Sequence, residues 1–419
     1  MNSLVKTGYI ALLVVLILHF GSSGLLAQEK MVLTLEEAIG LAIENNPVIE
    51  ISGANVDISR AGVKNAKSVY YPQVSSRIIV PFIGRESGFF LDQLIYDFGR
   101  TSNNVKSTKA ILKSRKFDNE STKDDIILST IINYYTVLSE NNIALAMEKK
   151  VIESERRLEQ AEGFYQSGRV PHVDVTKAEV SLGNAKLEQI AAKNNLEVAK
   201  VSLQTVLGLE EGSFNFDLED SPELSTMSYQ LEESIVQALG SRPELKSLEA
   251  QKIAMKANLS ASKKEFYPEI FGRTAYRFEG KGAETPGFIA GVGVKFPIFE
   301  GFSRFAKVED SKAHLKRTNA ELRSTKAGIV SQIKQLYLDL EFAKQNIDVT
   351  KNTRNSAEQS LNLARERYNL GRASSVELAE AEALFAISNA QYMQAIYNYN
   401  INVARLEGAT GEINEPQEQ

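Results

Sequence analysis

The sequence predicts a mainly α-helical protein, built twice over from long helical hairpins, with four short β-strands per chain of the kind that form a membrane barrel. Three observations predict it. The chain repeats itself: LEEAIGLAIENNP from Leu35 faces LEESIVQALGSRP from Leu231, gap-free to Pro72 and Pro268. Further on, NYYTVL from Asn133 faces LYLDLE from Leu336, and LQTVLG from Leu203 faces LEGATG from Leu406. Self-similarity at this spacing means one structural unit used twice. Long stretches such as Thr101 to Glu162 hold neither Gly nor Pro and are rich in Lys, Glu, Ala, Ile and Leu, which favour helix. Between the helical stretches stand pairs of segments, about ten residues each, that alternate apolar and polar as barrel strands do.

Taken in order, residues 1–27 read as a signal peptide: Lys6, the apolar run YIALLVVLILHF, then small residues to Ala27. The first repeat spans 28–209. It opens with a helix of roughly 36 residues, Leu35 to Tyr70, which stops before Pro72 because the residue preceding proline avoids the α region. A strand pair at about 73–97 follows, with Val74, Ile78, Val80 and Phe82 sharing a face that Ile79 and Ile83 oppose. Helix then runs to a break near Gly168, resumes after Pro171 and ends near Gly208. Residues 210–230 read as a linker. The second repeat, 231–411, has its strand pair at about 269–298 and its break near Gly371; residues 412–419 form a tail.

The two breaks, FYQSGRVPHVDV and RYNLGRASSVEL, are equivalent. At 1.5 Å per residue the long helix spans roughly 100 Å and the two shorter ones roughly 55 Å each, so the shorter pair laid end to end matches the long one. Each repeat is then a two-rod column with strands at one end, and each Gly-Arg break is the tip of a hairpin.

The second strand pair alternates most clearly. Ile270, Gly272, Thr274, Tyr276 and Phe278 oppose Glu269, Arg273, Arg277 and Glu279, while Phe288, Ala290, Val292, Val294 and Phe296 oppose Gly291, Gly293 and Lys295. Aromatic residues such as Tyr70, Tyr71, Tyr96, Phe98, Phe266, Tyr267, Phe299 and Phe302 cluster at the flanks, as at membrane interfaces. Four strands cannot close a barrel and an open edge is forbidden in lipid, so several copies must share one. With helix axes about 9 Å apart, two copies give a ring of helices roughly 23 Å across and three give one of about 34 Å. Geometry permits both.

Chemistry of other kinds finds little support. The chain has no Cys, which excludes disulfides and thiolate sites, and its formal charge of −5 gives no bulk attraction for nucleic acid. Of its three histidines, His19 falls in the signal, and His172 and His314 read as surface residues. No catalytic or metal-binding spacing and no phosphate loop is found; the Gly-x-Gly of GVGVKF leads into strand, where a nucleotide site needs a helix. An enzyme, a cofactor and a metal site are therefore not expected. Ile329, Ile333, Leu336, Tyr337 and Leu340 recur at helical spacing and are expected in the seam between helices.

The duplicated LTLEEAI…NNP opening, the YYP helix end, the IYDFGR and IFEGFSR strand-to-helix turns and the paired Y-x-x-G-R tips, in this order in both halves, resemble the TolC family of outer-membrane efflux channels over nearly the whole mature length. The resemblance implies a homotrimer, with a 12-stranded barrel in outer-membrane lipid and a helical tunnel through the periplasm. It implies an exit duct for efflux or type I secretion, fed by an inner-membrane transporter through a periplasmic adaptor protein that meets the tips Gly168, Arg169, Val170, Leu370, Gly371 and Arg372. It also implies a gate between Tyr368 and Asp174 and an acidic constriction at Glu377 and Glu380, three apart on one helix face. The family's second lock uses an arginine where this chain has Ala373, with Arg372 next door. The alternative is an exported helical scaffold or adhesin stalk without a conduit, which has no reason to converge acids near its tip.

Overall fold

The computed structural model describes residues 31–78, 87–209, 216–220, 230–278 and 287–411. The signal segment, the C-terminal tail, most of the linker and the strand positions at Ile79, Val80, Phe82, Ile83 and Glu279 lie outside the described residues. The first repeat runs β1 (Met31–Leu33), α1 (Leu35–Asn45), α2 (Pro47–Ser68), β2 (Gln73–Arg77), β3 (Gly88–Tyr96), α3 (Arg100–Gln166) and α4 (His172–Val206). The second runs β4 (Phe216–Leu218), α5 (Leu231–Ser241), α6 (Pro243–Lys264), β5 (Glu269–Arg277), β6 (Gly287–Lys295), α7 (Ser303–Asn369) and α8 (Ser375–Thr410).

The single opening helix expected of each repeat is in fact two. Asn46 is extended at φ −71°, ψ 119°, because Pro47 follows it. It ends α1 by donating its backbone N–H to Ala42 and caps α2 by accepting from the Val48 N–H at 2.9 Å. Arg242 before Pro243 makes the same break in the second repeat. The break has a receptor. Gly208, ending α4 in the left-handed region at φ +68°, lies so close that a Cβ there would stand 2.4 Å from the Asn45 carbonyl oxygen. Asn46 Nδ2 donates to the Val206 carbonyl at 2.7 Å across this contact. Gly411 meets Ser241 and Arg242 in the equivalent place.

Two three-residue strands inside the expected linker and opening segment, β1 and β4, pair in parallel and join the repeats. Tyr134, buried on α3, clamps them: its hydroxyl lies 2.8 Å from the Leu33 carbonyl and 2.9 Å from that of Glu219. Burial raises its pKa far above the ordinary phenol value. Tyr397 of α8, equally buried, donates to Asp220 at 2.6 Å and accepts from Asn142. One apolar core per repeat sits at this level, around Leu33, Tyr134 and Leu203 in the first and Ile333, Tyr399 and Leu406 in the second. The seam positions Ile329, Ile333, Leu336 and Leu340 are buried as the spacing predicts, while Tyr337 is half-buried.

The long helices, each 67 residues, run the full height of the chain. On the strand side the columns stand in the order α2, α3, α6, α7; on the tip side the order is α4, α3, α8, α7. The strands form one antiparallel sheet in the order β2-β3-β5-β6. Its register places Tyr276 between Phe89 and Phe288, and Ile270 opposite Val294. The apolar sets therefore share one face, and Phe288 (71%) and Val292 (73%) are largely exposed on it. The other face carries the Asp92–Arg273 ion pair, and the Phe271 ring packs so closely over Gly293 that a Cβ there would force the ring to shift.

Gly208→Ala is expected to lower stability by about 2 kcal/mol or more, from left-handed strain plus a backbone clash. Thermal unfolding followed by circular dichroism checks this, and an unchanged midpoint would contradict the close approach.

Candidate functional site

Both tips are built by the same reversal. At the first, Gly168 sits at φ +71°, with Arg169 N–H donating to the Phe164 carbonyl and Gly168 N–H to that of Tyr165, both at 2.9 Å. At the second, Gly371 sits at φ +68°, with Arg372 N–H donating to Arg367 and Gly371 N–H to Tyr368. These paired bonds satisfy the last carbonyls of the long helices, and they need a left-handed residue where glycine carries no Cβ penalty. The helices leaving the tips are capped differently. Ser374 accepts from the Glu377 N–H at 3.1 Å, whereas Pro171 offers α4 no side-chain cap.

Arg169, Leu370, Gly371 and Arg372 are exposed as expected of a docking tip, but Val170 is half-buried. Arg169 lays its guanidinium over the Phe164 ring, 5.8 Å from the centroid. Tyr368 is exposed, and Asp174 is half-exposed with Lys177 at 3.6 Å. No hydrogen bond joins Tyr368 to Asp174 within the chain. The reason is the column order: Tyr368 ends α7 and Asp174 begins α4, and these two helices form opposite edges of the slab.

The two acids are not left facing each other. Glu377 takes a hydrogen bond from Arg367 at 2.5 Å across its own hairpin, and Glu380 pairs with Arg157 of α3 at 3.0 Å. Arg156 and Glu382, at 3.8 Å, bridge the same two helices. All these groups are substantially solvent-exposed, so each pair contributes little stability and separates readily. Sequence reasoning missed the arginines. Arg367 stands beside Tyr368 in the tip motif, and a basic residue preceding the tip was the available signal; Arg157 had none.

The slab edges carry a further pattern. Val173, Val180, Leu187 and Val201 lie exposed along α4 at multiples of seven residues, and Phe342, Val349, Leu363 and Leu370 do so along α7. Sevenfold spacing keeps such residues on one stripe, as in a coiled-coil seam. Among the described residues no helix is long and apolar enough to cross a membrane, and no acid or histidine cluster could hold a metal ion.

Duplicated helical hairpins below a four-stranded sheet with an exposed apolar face define a periplasm-spanning membrane channel protein. The chain belongs to the outer membrane efflux protein family, whose sequence pattern matches residues 85–209 and 234–412. Among its relatives, the outer membrane efflux protein BepC of Brucella suis is 23% identical over 407 residues, covering 92% of this chain and 86% of the relative. The outer membrane protein TolC of Escherichia coli is 21% identical over 409 residues, covering 88% and 80%. The outer membrane channel CmeC of Campylobacter jejuni superposes with a TM-score of 0.74 at 16% identity, over 92% of this chain and 87% of that one. The protein is thus an efflux channel of the outer membrane, which decides against the stalk alternative.

Gly371→Val is expected to loosen the second tip alone, since a β-branched residue at positive φ is strained by about 1–2 kcal/mol or more. Hydrogen exchange should then quicken at that tip and stay unchanged at the equatorial core; uniform protection would contradict the left-handed requirement.

Proposed function

We propose that three copies of the chain close into a 12-stranded barrel above a tunnel of helices, forming the exit duct of a tripartite efflux or type I secretion system. The carrying observation is that sheet and slab both end in unpartnered edges. β2 and β6 bound the sheet, and hydrocarbon does not tolerate their unpaired N–H and C=O groups. Below them, α4 and α7 bound the slab with matching apolar stripes. Pairing β6 with β2, and α7 with α4, of the next copy satisfies both rings at once. The packing of α3 on α8 inside the chain supplies the template, because α7 and α4 are their repeat equivalents.

On this reading the gate lies across the boundary between subunits. α7 and α4 meet antiparallel, so the seam that sets Leu363 against Val180 of the neighbour brings Tyr368 level with the neighbour's Asp174. The phenol donates and the carboxylate accepts, a charge-assisted bond of roughly 1.5–3 kcal/mol when shielded from water. Three such bonds hold the entrance closed, yet yield to the binding energy of an adaptor at the tips Gly168, Arg169, Val170, Leu370, Gly371 and Arg372. Glu377 and Glu380 form the acidic constriction, each held beside an arginine of its own chain. The inner-membrane transporter delivers the cargo through the adaptor.

Mass measurement in detergent is expected to give three chains; a stable monomer would remove the shared barrel. In planar bilayers, Tyr368→Phe should raise resting conductance several-fold, since each lost bond is worth roughly a factor of ten in an equilibrium. Glu377→Gln with Glu380→Gln should weaken cation preference and leave opening largely unchanged. If Tyr368→Phe conducts like the unaltered protein and selectivity survives both glutamines, this gate is wrong.

A further inference from the structure

The two repeats build the same corner where the opening helical pair meets the long helix just below the strands, and they finish it differently. In the second repeat the corner is filled: Phe305 of α7 meets Phe266 edge to face, with ring centroids 5.0 Å apart. Glu309 stands there on α7 between Lys263 and Lys312, and Lys307 nearby pairs with Glu265. In the first repeat Ser102 stands where Phe305 stands, and Lys106 where Glu309 stands, because both long helices begin after the same turn and run for 67 residues.

The result is an open surface cavity of about 560 Å³ between α2 and α3, lined by the exposed residues Lys67, Lys106, Lys109, Ser102, Tyr70 and Tyr71. No carboxylate lines it. None occurs between Arg60 and Tyr71 on the one helix or between Thr101 and Phe117 on the other. Among the described residues the three lysines form no ion pair and the phenols of Tyr70 and Tyr71 no hydrogen bond, while Ser102 already donates to the Gly99 carbonyl. Three lysines and two tyrosines thus line one open cavity with no acceptor of their own. Pro72 and the first residue of β2 follow Tyr71 directly, so the cavity lies at the junction of strand and helix, which the proposed barrel sets at the membrane surface.

We propose that this cavity is a binding site for a phosphate group, as carried by an anionic lipid head group in the periplasmic leaflet or by a free phosphate. A phosphate offers several acceptor oxygens and a negative charge, the complement of unpaired ammonium and phenol donors. Basic pockets with interfacial tyrosines at this depth suit lipid head groups. The second repeat is the built-in control, since its equivalent corner holds Phe305 and Glu309 where the first holds Ser102 and Lys106.

The test titrates the detergent-purified full chain with short-chain phosphatidylglycerol, phosphatidylcholine of the same chain length, and inorganic phosphate, read by native mass spectrometry. Phosphatidylglycerol should bind in preference to phosphatidylcholine. Its affinity should fall about tenfold or more in the triple variant Lys67→Gln, Lys106→Gln, Lys109→Gln, and likewise in Ser102→Phe, which fills the cavity as the second repeat does. Lys263→Gln with Lys312→Gln, at the equivalent corner, should bind as the unaltered chain does. Displacement of the lipid by millimolar phosphate assigns the site to the free anion; retention assigns it to the lipid. Equal binding by the unaltered chain and the triple glutamine variant overturns the proposal, as does equal loss in the second-repeat variant or no binding of either anion. Conductance is independent of these outcomes, so the channel reading stands or falls separately.

Discussion

A backbone amide surrounded by hydrocarbon has no water to fall back on, and the rest of this structure depends on that constraint. The sheet of each chain ends in β2 on one side and β6 on the other, with an apolar face exposed. Such a ribbon is stable in lipid only as a sector of a closed barrel. In the proposed assembly, closure above would impose closure below, because the four strands grow directly out of four helical columns. The stripes on α4 and α7 are what that second closure requires: exposed in a single chain, periodic, and antiparallel to one another. The chain is best understood as a wedge whose flanks are as much a part of its design as its core.

Duplication supplies the columns, and departures from duplication supply the individual features. Thr34 and Glu37 form a reciprocal cap at the start of α1, but Gln230 offers α5 no side-chain cap. Both strand-to-helix turns use two successive left-handed residues, written Phe98-Gly99 in the first repeat and Gly301-Phe302 in the second. The glycine and the phenylalanine have exchanged places while the backbone path is kept. A phenylalanine at positive φ is strained, and here the aromatic shell beside each turn holds it: Phe98 stacks on Tyr267, and Phe302 meets Phe299. The equatorial ladder likewise belongs to no single repeat, since β1 comes from one and β4 from the other.

At the tips the physics is deliberately weak. Left-handed glycines fix the reversal locally, while the side-chain bonds between helices near the tips are exposed ion pairs within the chain. An exposed pair contributes roughly 0–1 kcal/mol, in contrast to the buried cores around Tyr134 and Tyr399. The weakest contacts thus lie at the tips, whereas the level of β1 and β4 is held by the close Gly208 and Gly411 contacts.

The sequence by itself determined whatever is encoded in short-range pattern. The duplication, the long helices, the glycine tips and the alternation of β5 and β6 all follow from periodicity and from backbone freedom at single residues. Pro47 and Pro243 also carry the helix breaks, but helical periodicity runs through both, and only the structure shows Asn46 ending one helix and capping the next. Tertiary structure alone decided which faces meet. The three-residue strands β1 and β4 have too few residues to show a period, and they exist because Tyr134 and the first core hold them together. Glu377 and Glu380 share a helix face in sequence, yet their arginine partners lie on two different helices. The column order that sets Tyr368 and Asp174 on opposite flanks is likewise invisible to local pattern, because it depends on which of several similar apolar stripes pack together. Helical periodicity specifies that a stripe is buried; only the packed chain specifies against what.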